Sequence, residues 1–409
     1  MQKPVGGTSM SFRYVVQEGD TWHRIARIHA VNLSSLTSMN PGIKETEYLV
    51  PGEVIQIPRQ TNREYVVQPK ETPLVIARRF GIPLEKLIEV NDGIDMKQLR
   101  PGSKIDLPAG IQNRIVRMDL EYGYKELLED LDQFKQRYSF VEETCIGRSV
   151  MGKKIPAIRL GSGPRNLHIN ASFHANEWIT SLVLMAFMED CCEAHRRQEK
   201  LYGKDITSLF HGVTLFVVPM VNPDGVQLVQ EGITASHPFY EEILRINQGS
   251  FYFRRWKANI RGVDLNDQFP AHWEEEKKRR GAESPSMRDY PGENPLTEPE
   301  AIAIAEYTEK NCFDAVVALH TQGQEIYWNY RDYEPKESEK WAERLSSVSG
   351  YRSVRLSGSD AGYKDWFIQT FRKPGFTVEA GLGINPLPLW QTHQIKDEIA
   401  AILLELMSG

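Results

Sequence analysis

Cysteine is scarce in this chain, and its spacing carries no framework. Four occur in 409 residues, at Cys145, Cys191, Cys192 and Cys312. There is no Cys-x-x-Cys unit, so neither a thiolate zinc site nor a disulfide scaffold is expected. Cys191 and Cys192 are adjacent in an apolar helical stretch and read as packed thiols. No uninterrupted apolar run approaches the roughly 20 residues of a membrane-spanning helix. The stretch Met1–Ser11 has no apolar core, so no secretory signal is expected. A basic stripe is also missing. The formal net charge is −6, which removes the electrostatic footing for nucleic-acid binding. The densest charge run, Glu274-Glu-Glu-Lys-Lys-Arg-Arg280, sets Glu and Lys/Arg at i,i+4 spacing and reads as a solvated helical face. The segment 281–299 that follows is rich in Pro, Glu and Ser and is expected to be a long surface loop bordering a cleft.

What is present begins with a repeat. Tyr14-Val-Val-Gln-Glu-Gly-Asp-Thr21 leads through Asn40-Pro41 to Val50-Pro-Gly-Glu-Val-Ile-Gln-Ile-Pro58. Tyr65-Val-Val-Gln-Pro-Lys-Glu-Thr72 leads through Asn91 to Arg100-Pro-Gly-Ser-Lys-Ile-Asp-Leu-Pro108. Repetition on this scale marks tandem small modules. Each reads strand, helix, helix, strand: helical spacing of apolar residues in the middle, and a Pro-Gly turn before the last strand.

The second half carries chemistry. Asn166–Phe173 reads as a buried strand and Ile179–Met188 as a buried helix, and His174 and Glu177 stand between them. Open α/β sheets place their sites at such junctions. Val316-Val-Ala-Leu-His320 and Gly375-Phe-Thr-Val-Glu379 each end an apolar, β-branched run on a chemically useful side chain. Two imidazoles and one carboxylate form a ligand set that leaves zinc an open position for water. A further carboxylate nearby can take that water's proton.

In this order, His174-x-x-Glu177, Asn222-Pro-Asp-Gly225, Gly262-Val-Asp-Leu-Asn266, His320 and Phe376-Thr-Val-Glu379 resemble the zinc carboxypeptidase superfamily over roughly 119–407. The resemblance implies one zinc ion held by His174, Glu177 and His320, with Glu379 as general base. It also implies an oxyanion-binding cation from Phe253-Arg-Arg-Trp-Lys-Ala-Asn259. Alignment on the Trp gives Lys257, where members of the superfamily carry Arg; a shifted register gives Arg255.

Departures from the family pattern bear on the substrate. Exopeptidases of the family carry Arg directly after Asn266 to grip a C-terminal carboxylate, and this chain has Asp267. An acid there repels a carboxylate and suits an amino group. The family's phenolic Tyr falls near Ser357, where no Tyr stands; Tyr363 is close by. Lys364 falls about where side-chain preference is set, and a Lys there suggests a substrate carboxylate.

The N-terminal repeats resemble LysM modules, a family that binds N-acetylglucosamine-containing glycans. The implied binding loops are Glu18–Thr21 with Asn40–Gly42, and Pro69–Thr72 with Asn91–Gly93. The combination resembles LysM-bearing γ-D-glutamyl-L-diamino acid endopeptidases. The expected architecture is LysM modules at 11–59 and 62–109, then a catalytic domain at 115–409: an α/β fold whose mixed, twisted sheet has helices on both faces. Helices are expected at 124–138, 179–197, 298–311, 336–349 and 394–407. The linker near Ala109–Asn113 is short, which favours modules packed on the enzyme. The expected activity is zinc-dependent cleavage of the γ-D-glutamyl bond to diaminopimelate or lysine in peptidoglycan stem peptides, with Asn266, Asp267, Tyr363 and Lys364 at the substrate. The rival is an ordinary metallocarboxypeptidase. Without a signal segment, the expected place is the cytoplasm, as in a sporulating cell, with the cell wall as the alternative.

Overall fold

A computed structural model describes residues 11–29, 31, 33–44, 48–58, 63–67, 71–80, 84–96, 99–107 and 114–409. The expectations for 1–10, for Pro69-Lys70 and for the linker at 109–113 concern residues outside that set. The chain divides into two compact units, 1–120 and 121–409.

In the first unit each repeat folds as read. Strand Ser11–Val15, helices Trp22–Ile28 and Leu33–Ser38 and strand Val54–Pro58 form the first module; strand Arg63–Val66, helices Pro73–Phe80 and Leu84–Glu89 and strand Lys104–Leu107 form the second. The paired strands are antiparallel in both. Ile25, Leu36, Ile55 and Ile57 fill the first core; Ile76, Leu87 and Ile105 fill the second. Asn40 uses its amide to join helix to strand, donating to Leu36 O and Gln56 O (both 2.8 Å) and accepting from Gln56 N. Asn91 makes the same clamp with Leu87 and Asp106. These two side chains, expected in the glycan loops, are therefore occupied in holding the module together. The Tyr14 hydroxyl donates to Asp20, and Tyr65 repeats this with Glu71, so the acid survives the change of loop sequence in the second copy.

The second unit is built on an eight-stranded mixed sheet in the order 352–354, 325–327, 375–379, 315–320, 165–171, 213–218, 154–161, 142–148. The four central strands (375–379, 315–320, 165–171 and 213–218) are parallel to one another. Antiparallel strands flank them on both sides. Strands 213–218 and 315–320 are buried at every residue, which explains their unbroken apolar sequences: helices cover both faces. The long helices are Tyr124–Arg137, Ile179–Arg197, Pro299–Asn311, Glu337–Ser349 and Thr392–Ser408, each within two residues of expectation. Cys191 and Cys192 are buried free thiols, and Cys145 and Cys312 are exposed. Among the described residues, no helix is long and apolar enough to cross a membrane.

The central strands run together, so their carboxyl ends share one edge. His320 and Glu379 are the last residues of their strands, and His174 follows three residues after Ala171. Ser172 makes the turn possible in the left-handed region (φ 51°), its hydroxyl 2.7 Å from that of Ser181. Asn222 caps helix Pro223–Glu231 through Gly225 N and donates to both Phe173 O and Ala258 O, joining the loops that carry His174 and Lys257. A Cβ at Gly225 would lie 2.6 Å from Asn222 Oδ1 and 2.7 Å from Ala258 O. Gly225→Ala is expected to lower stability by about 1–3 kcal/mol and activity more than stability explains, as read by thermal melts alongside kcat/KM.

Candidate active site

His174, Glu177 and His320 converge at the carboxyl edge of the sheet, all three buried. His174 Nδ1 lies 2.9 Å from Glu177 Oε1, and His320 Nδ1 lies 3.1 Å from Glu177 Oε2. The two Nδ1 atoms are 3.1 Å apart. Ligands about 2.0–2.1 Å from a tetrahedral zinc stand roughly 3.3 Å from each other, close to these separations. Two imidazole nitrogens facing one another in a buried site can share a proton or a metal ion, and the donor set of two nitrogens and one carboxylate suits zinc. Burial works against the charge on Glu177, yet the neighbouring His174 and His320 bring its pKa down to about 2. It stays ionised and available as a ligand.

Further residues position this set. Asp264, fully buried, lies 3.2 Å from His174 Nε2 and accepts from Lys257 Nζ at 2.7 Å. A carboxylate behind a ligating imidazole fixes its ring and raises its basicity. The Asp264 carboxyl is held well below the usual range: burial opposes ionisation, but Lys257 and His174 outweigh it. Lys257 is pushed the other way, above its usual value, because Asp264 and Asp267 overcome its desolvation. Asn385 Nδ2 donates to Thr321 O (3.0 Å) and Glu177 Oε1 (3.3 Å) from the loop after Glu379. Arg255, the other candidate cation, is exposed, and its Nη1 donates to Asn385 O at 3.4 Å.

Glu379 pairs in register with His320 on one side and with Glu325 on the other, so the three side chains share one face of the sheet. Burial raises its pKa to about 7, with Glu177 adding to the rise and His320 and Lys257 opposing it. A carboxyl held near neutrality beside a metal-ligand set is suited to carrying a proton.

Residues 127–375 match the zinc carboxypeptidase family. The chain belongs to that family. Residues 14–58 and 65–108 match the LysM domain. The chain is 46% identical over 291 residues to the gamma-D-glutamyl-L-diamino acid endopeptidase 1 of Lysinibacillus sphaericus, covering 71% of this chain and 73% of the relative. It is 44% identical to the YqgT protein of Bacillus subtilis (strain 168), covering 80% and 86%. Among solved structures, thrombin-activatable fibrinolysis inhibitor shares the fold at a TM-score of 0.57 and 18% identity, covering 85% of this chain and 93% of that one. The bovine protein with a tick carboxypeptidase inhibitor gives 0.55 and 18%, over 71% and 97%. The chain is therefore a metallopeptidase, and zinc is the cofactor of its family.

Within this zinc carboxypeptidase the expected substrate residues need correction. Lys364 opens helix Tyr363–Phe371 and is buried, its ammonium donating to Asn329 O (2.7 Å) and Asp365 Oδ1 (2.5 Å). Its charge is spent inside the protein. Tyr363 is buried in the core, its hydroxyl 2.9 Å from Thr308 Oγ1, which removes it from substrate. Both misplacements have one cause: the residues begin a helix whose first turn faces inward. Asn266 accepts from Tyr363 N at 3.2 Å and is half-buried.

Asp267 is buried and already held by Arg280, at 2.8 Å from Nε to Oδ2 and 3.0 Å from Nη2 to Oδ1. Arg280 also reaches Glu276 Oε1 (2.7 Å) and Asp289 Oδ1 (3.3 Å). The run 274–280 is thus only partly the solvated face expected, because Glu276 is buried and Arg280 turns inward. Asp264, Asp267, Glu276 and Asp289 face Lys257 and Arg280, and the more exposed Arg279 and Arg288 also pair with Glu276 and Asp289, so four acids meet four cations. Burial raises the Asp267 pKa to about 7, and Asp264 adds to this. The loop 281–298 does border the site, through Asp289 and through Met287 O, which accepts from Lys257 N.

Proposed function

We propose that this chain is a zinc-dependent peptidoglycan hydrolase that cuts the γ-D-glutamyl–L-diamino acid bond of stem peptides, with its LysM modules on N-acetylglucosamine-containing glycan. The observation that carries the reading is the four-residue set of His174, Glu177, His320 and Glu379, with Asp267 paired to Arg280 where a carboxylate clamp would stand. The name of the Lysinibacillus relative supports the bond class.

His174, Glu177 and His320 would hold the zinc. A bound zinc supplies Lewis acidity and lowers the pKa of a water towards about 7. Glu379 takes the proton of the attacking water and delivers it to the leaving amine. Lys257, not Arg255, is the donor for the developing oxyanion: its ammonium is fixed by Asp264, which in turn faces His174. Asp267 shapes specificity together with Arg280. Arg280 is engaged by three carboxylates, so its guanidinium is not free to grip a C-terminal carboxylate, and Asp267 tolerates the amino group of a diamino acid.

The test is mass spectrometry of L-Ala-γ-D-Glu-diamino acid tripeptides after incubation. Free diamino acid is the expected product, lost with a chelator and restored by zinc. Efficient hydrolysis of ordinary C-terminal dipeptides with the tripeptides left intact would replace this reading with a metallocarboxypeptidase. Asp267→Asn removes the carboxylate that occupies both Nε and Nη2 of Arg280, so the guanidinium fork is released. The variant is expected to improve KM for ordinary C-terminal dipeptides by about tenfold relative to the diamino acid tripeptides, read from initial rates.

A further inference from the structure

Large apolar side chains exposed in unit 121–409 are not scattered. Among the described residues there are seven, and five of them are Phe251 (52% exposed), Tyr252 (55%), Leu382 (53%), Ile384 (65%) and Trp390 (77%). The other two, Tyr202 and Val348, lie on other elements. The five belong to two segments tied at one point, where Arg255 Nη1 donates to Asn385 O. That point is the edge of the active site, because the Asn385 amide touches Glu177 and Thr321.

The loop after Glu379 is cross-tied by its own bonds. Gln391 Nε2 donates to Leu382 O (2.8 Å), and Gln391 Oε1 accepts from Leu382 N (3.1 Å), closing the neck. Leu387 is buried beneath it. Thr321 Oγ1 donates to Asn385 Oδ1 at 2.8 Å, fixing the middle. With Leu387, Asn385 and Gln391 as anchors, Leu382, Ile384 and Trp390 face solvent on a fixed frame. Exposed apolar side chains gathered on one tied loop beside a polar site mark a binding surface, and the ties lower the ordering cost of binding.

We propose that this rim is a sugar subsite: it receives the N-acetylated amino sugar to which the stem peptide is attached. The assignment rests on the function proposed above. An indole face and branched aliphatic groups match the C–H face of a pyranose and an acetamido methyl, while the sugar hydroxyls stay in water. The stem peptide is charged and is served by the acid and cation cluster inside the site, which leaves the apolar rim to the neutral part of the substrate. One amino acid precedes the D-Glu in a stem peptide. Two residues span roughly 7 Å when extended, so a sugar on the same chain falls at the rim of the cleft. The chain also belongs with glycan handling through its two LysM domains.

The test compares a free stem peptide with the same peptide carried on an N-acetylglucosaminyl-N-acetylmuramyl disaccharide, using the full chain. Trp390→Ala and Ile384→Ser are expected to raise KM for the disaccharide-linked substrate about tenfold and to leave kcat/KM for the free peptide within about twofold. Equal effects on both substrates, or none on either, would overturn the sugar subsite. So would phosphatidylglycerol vesicle binding that Trp390→Ala abolishes while KM for the linked substrate stays constant, since the rim would then face lipid. If the wild type cuts neither substrate, the bond assignment fails and the subsite is decided by fluorescence. A Trp emission change on adding the disaccharide peptide, absent in Trp390→Phe, supports it; one that persists in Trp390→Phe overturns it.

Discussion

Glu379→Gln is expected to lower kcat on a γ-D-glutamyl substrate by about 10²- to 10⁴-fold, the span typical of a general acid–base group, with zinc content unchanged by elemental analysis. The amide keeps the shape and removes the proton acceptor. The pH profile adds a second readout. In the metal-free protein the carboxyl is raised to about 7 by burial and by Glu177. A divalent cation held by His174, Glu177 and His320 favours the ionised form, so the acidic limb of kcat/KM in the loaded enzyme falls below that value. Activity rises with pH through the limb, because the base must be ionised to act. The limb should vanish in the Gln variant. A variant that keeps the limb would move the base elsewhere.

The same shift has a consequence for stability, with its own sign. Glu379, Asp267 and Glu300 each have a carboxyl raised to about 7 in the fold, with burial as the leading cause. Between about pH 4.5 and 7 the unfolded chain has released these protons and the folded chain still holds them. The contribution of these three carboxyls to the stability of the metal-free protein therefore falls as pH rises through this window, and it is opposed by His168, whose pKa burial lowers to about 3. Glu177 and Asp264, with folded values below their ordinary ones, are ionised in both states there and add no slope. Zinc should flatten the part of the slope that belongs to Glu379, and Glu379→Gln should remove the same part.

Much of this was legible in the sequence, for a physical reason. Each metal-ligand candidate follows a buried strand, unbroken in its apolar sequence before His320 and mixed with buried polar residues before His174, and parallel strands buried on both faces leave their reactive chemistry at their carboxyl ends. His174, Glu177, His320 and Glu379 could therefore be picked out by their position after those runs. The long helices were equally readable from apolar spacing. Arg280 was hidden, because a Glu/Lys/Arg run has the same composition whether one side chain turns inward or all face water. The inward direction of Lys364 and Tyr363 is set by the helix Tyr363–Phe371 that they begin, and linear spacing alone does not carry it. Asp264 lay inside the quoted Gly262–Asn266 motif, but its contact with His174 spans 90 positions of sequence and exists only in the folded chain. Asn385 gave no signal, since a loop amide is recognised by its contacts alone.

Lys257→Met is expected to lower kcat/KM by about 10²- to 10³-fold, the loss seen when one oxyanion donor is removed. Two effects have to be separated. The first is the missing donor at the carbonyl oxygen. The second is Asp264, which stays fully buried with one cation fewer and costs about 3–5 kcal/mol of stability if left uncompensated. Asp264 also faces His174, so a displaced carboxylate would loosen zinc as well as the substrate. Lys257→Arg distinguishes them: a guanidinium keeps the charge beside Asp264 and offers donors in a fork, the residue type that other members of the superfamily carry there. Arg is expected to restore the melting temperature and zinc content, and to return most of kcat/KM. If Arg restores stability and metal but the rate stays at the Met level, Lys257 is a positioning residue acting through Asp264. If Met itself keeps full activity, the oxyanion donor must be sought in Arg255, whose reach to Asn385 already places it at the edge of the site.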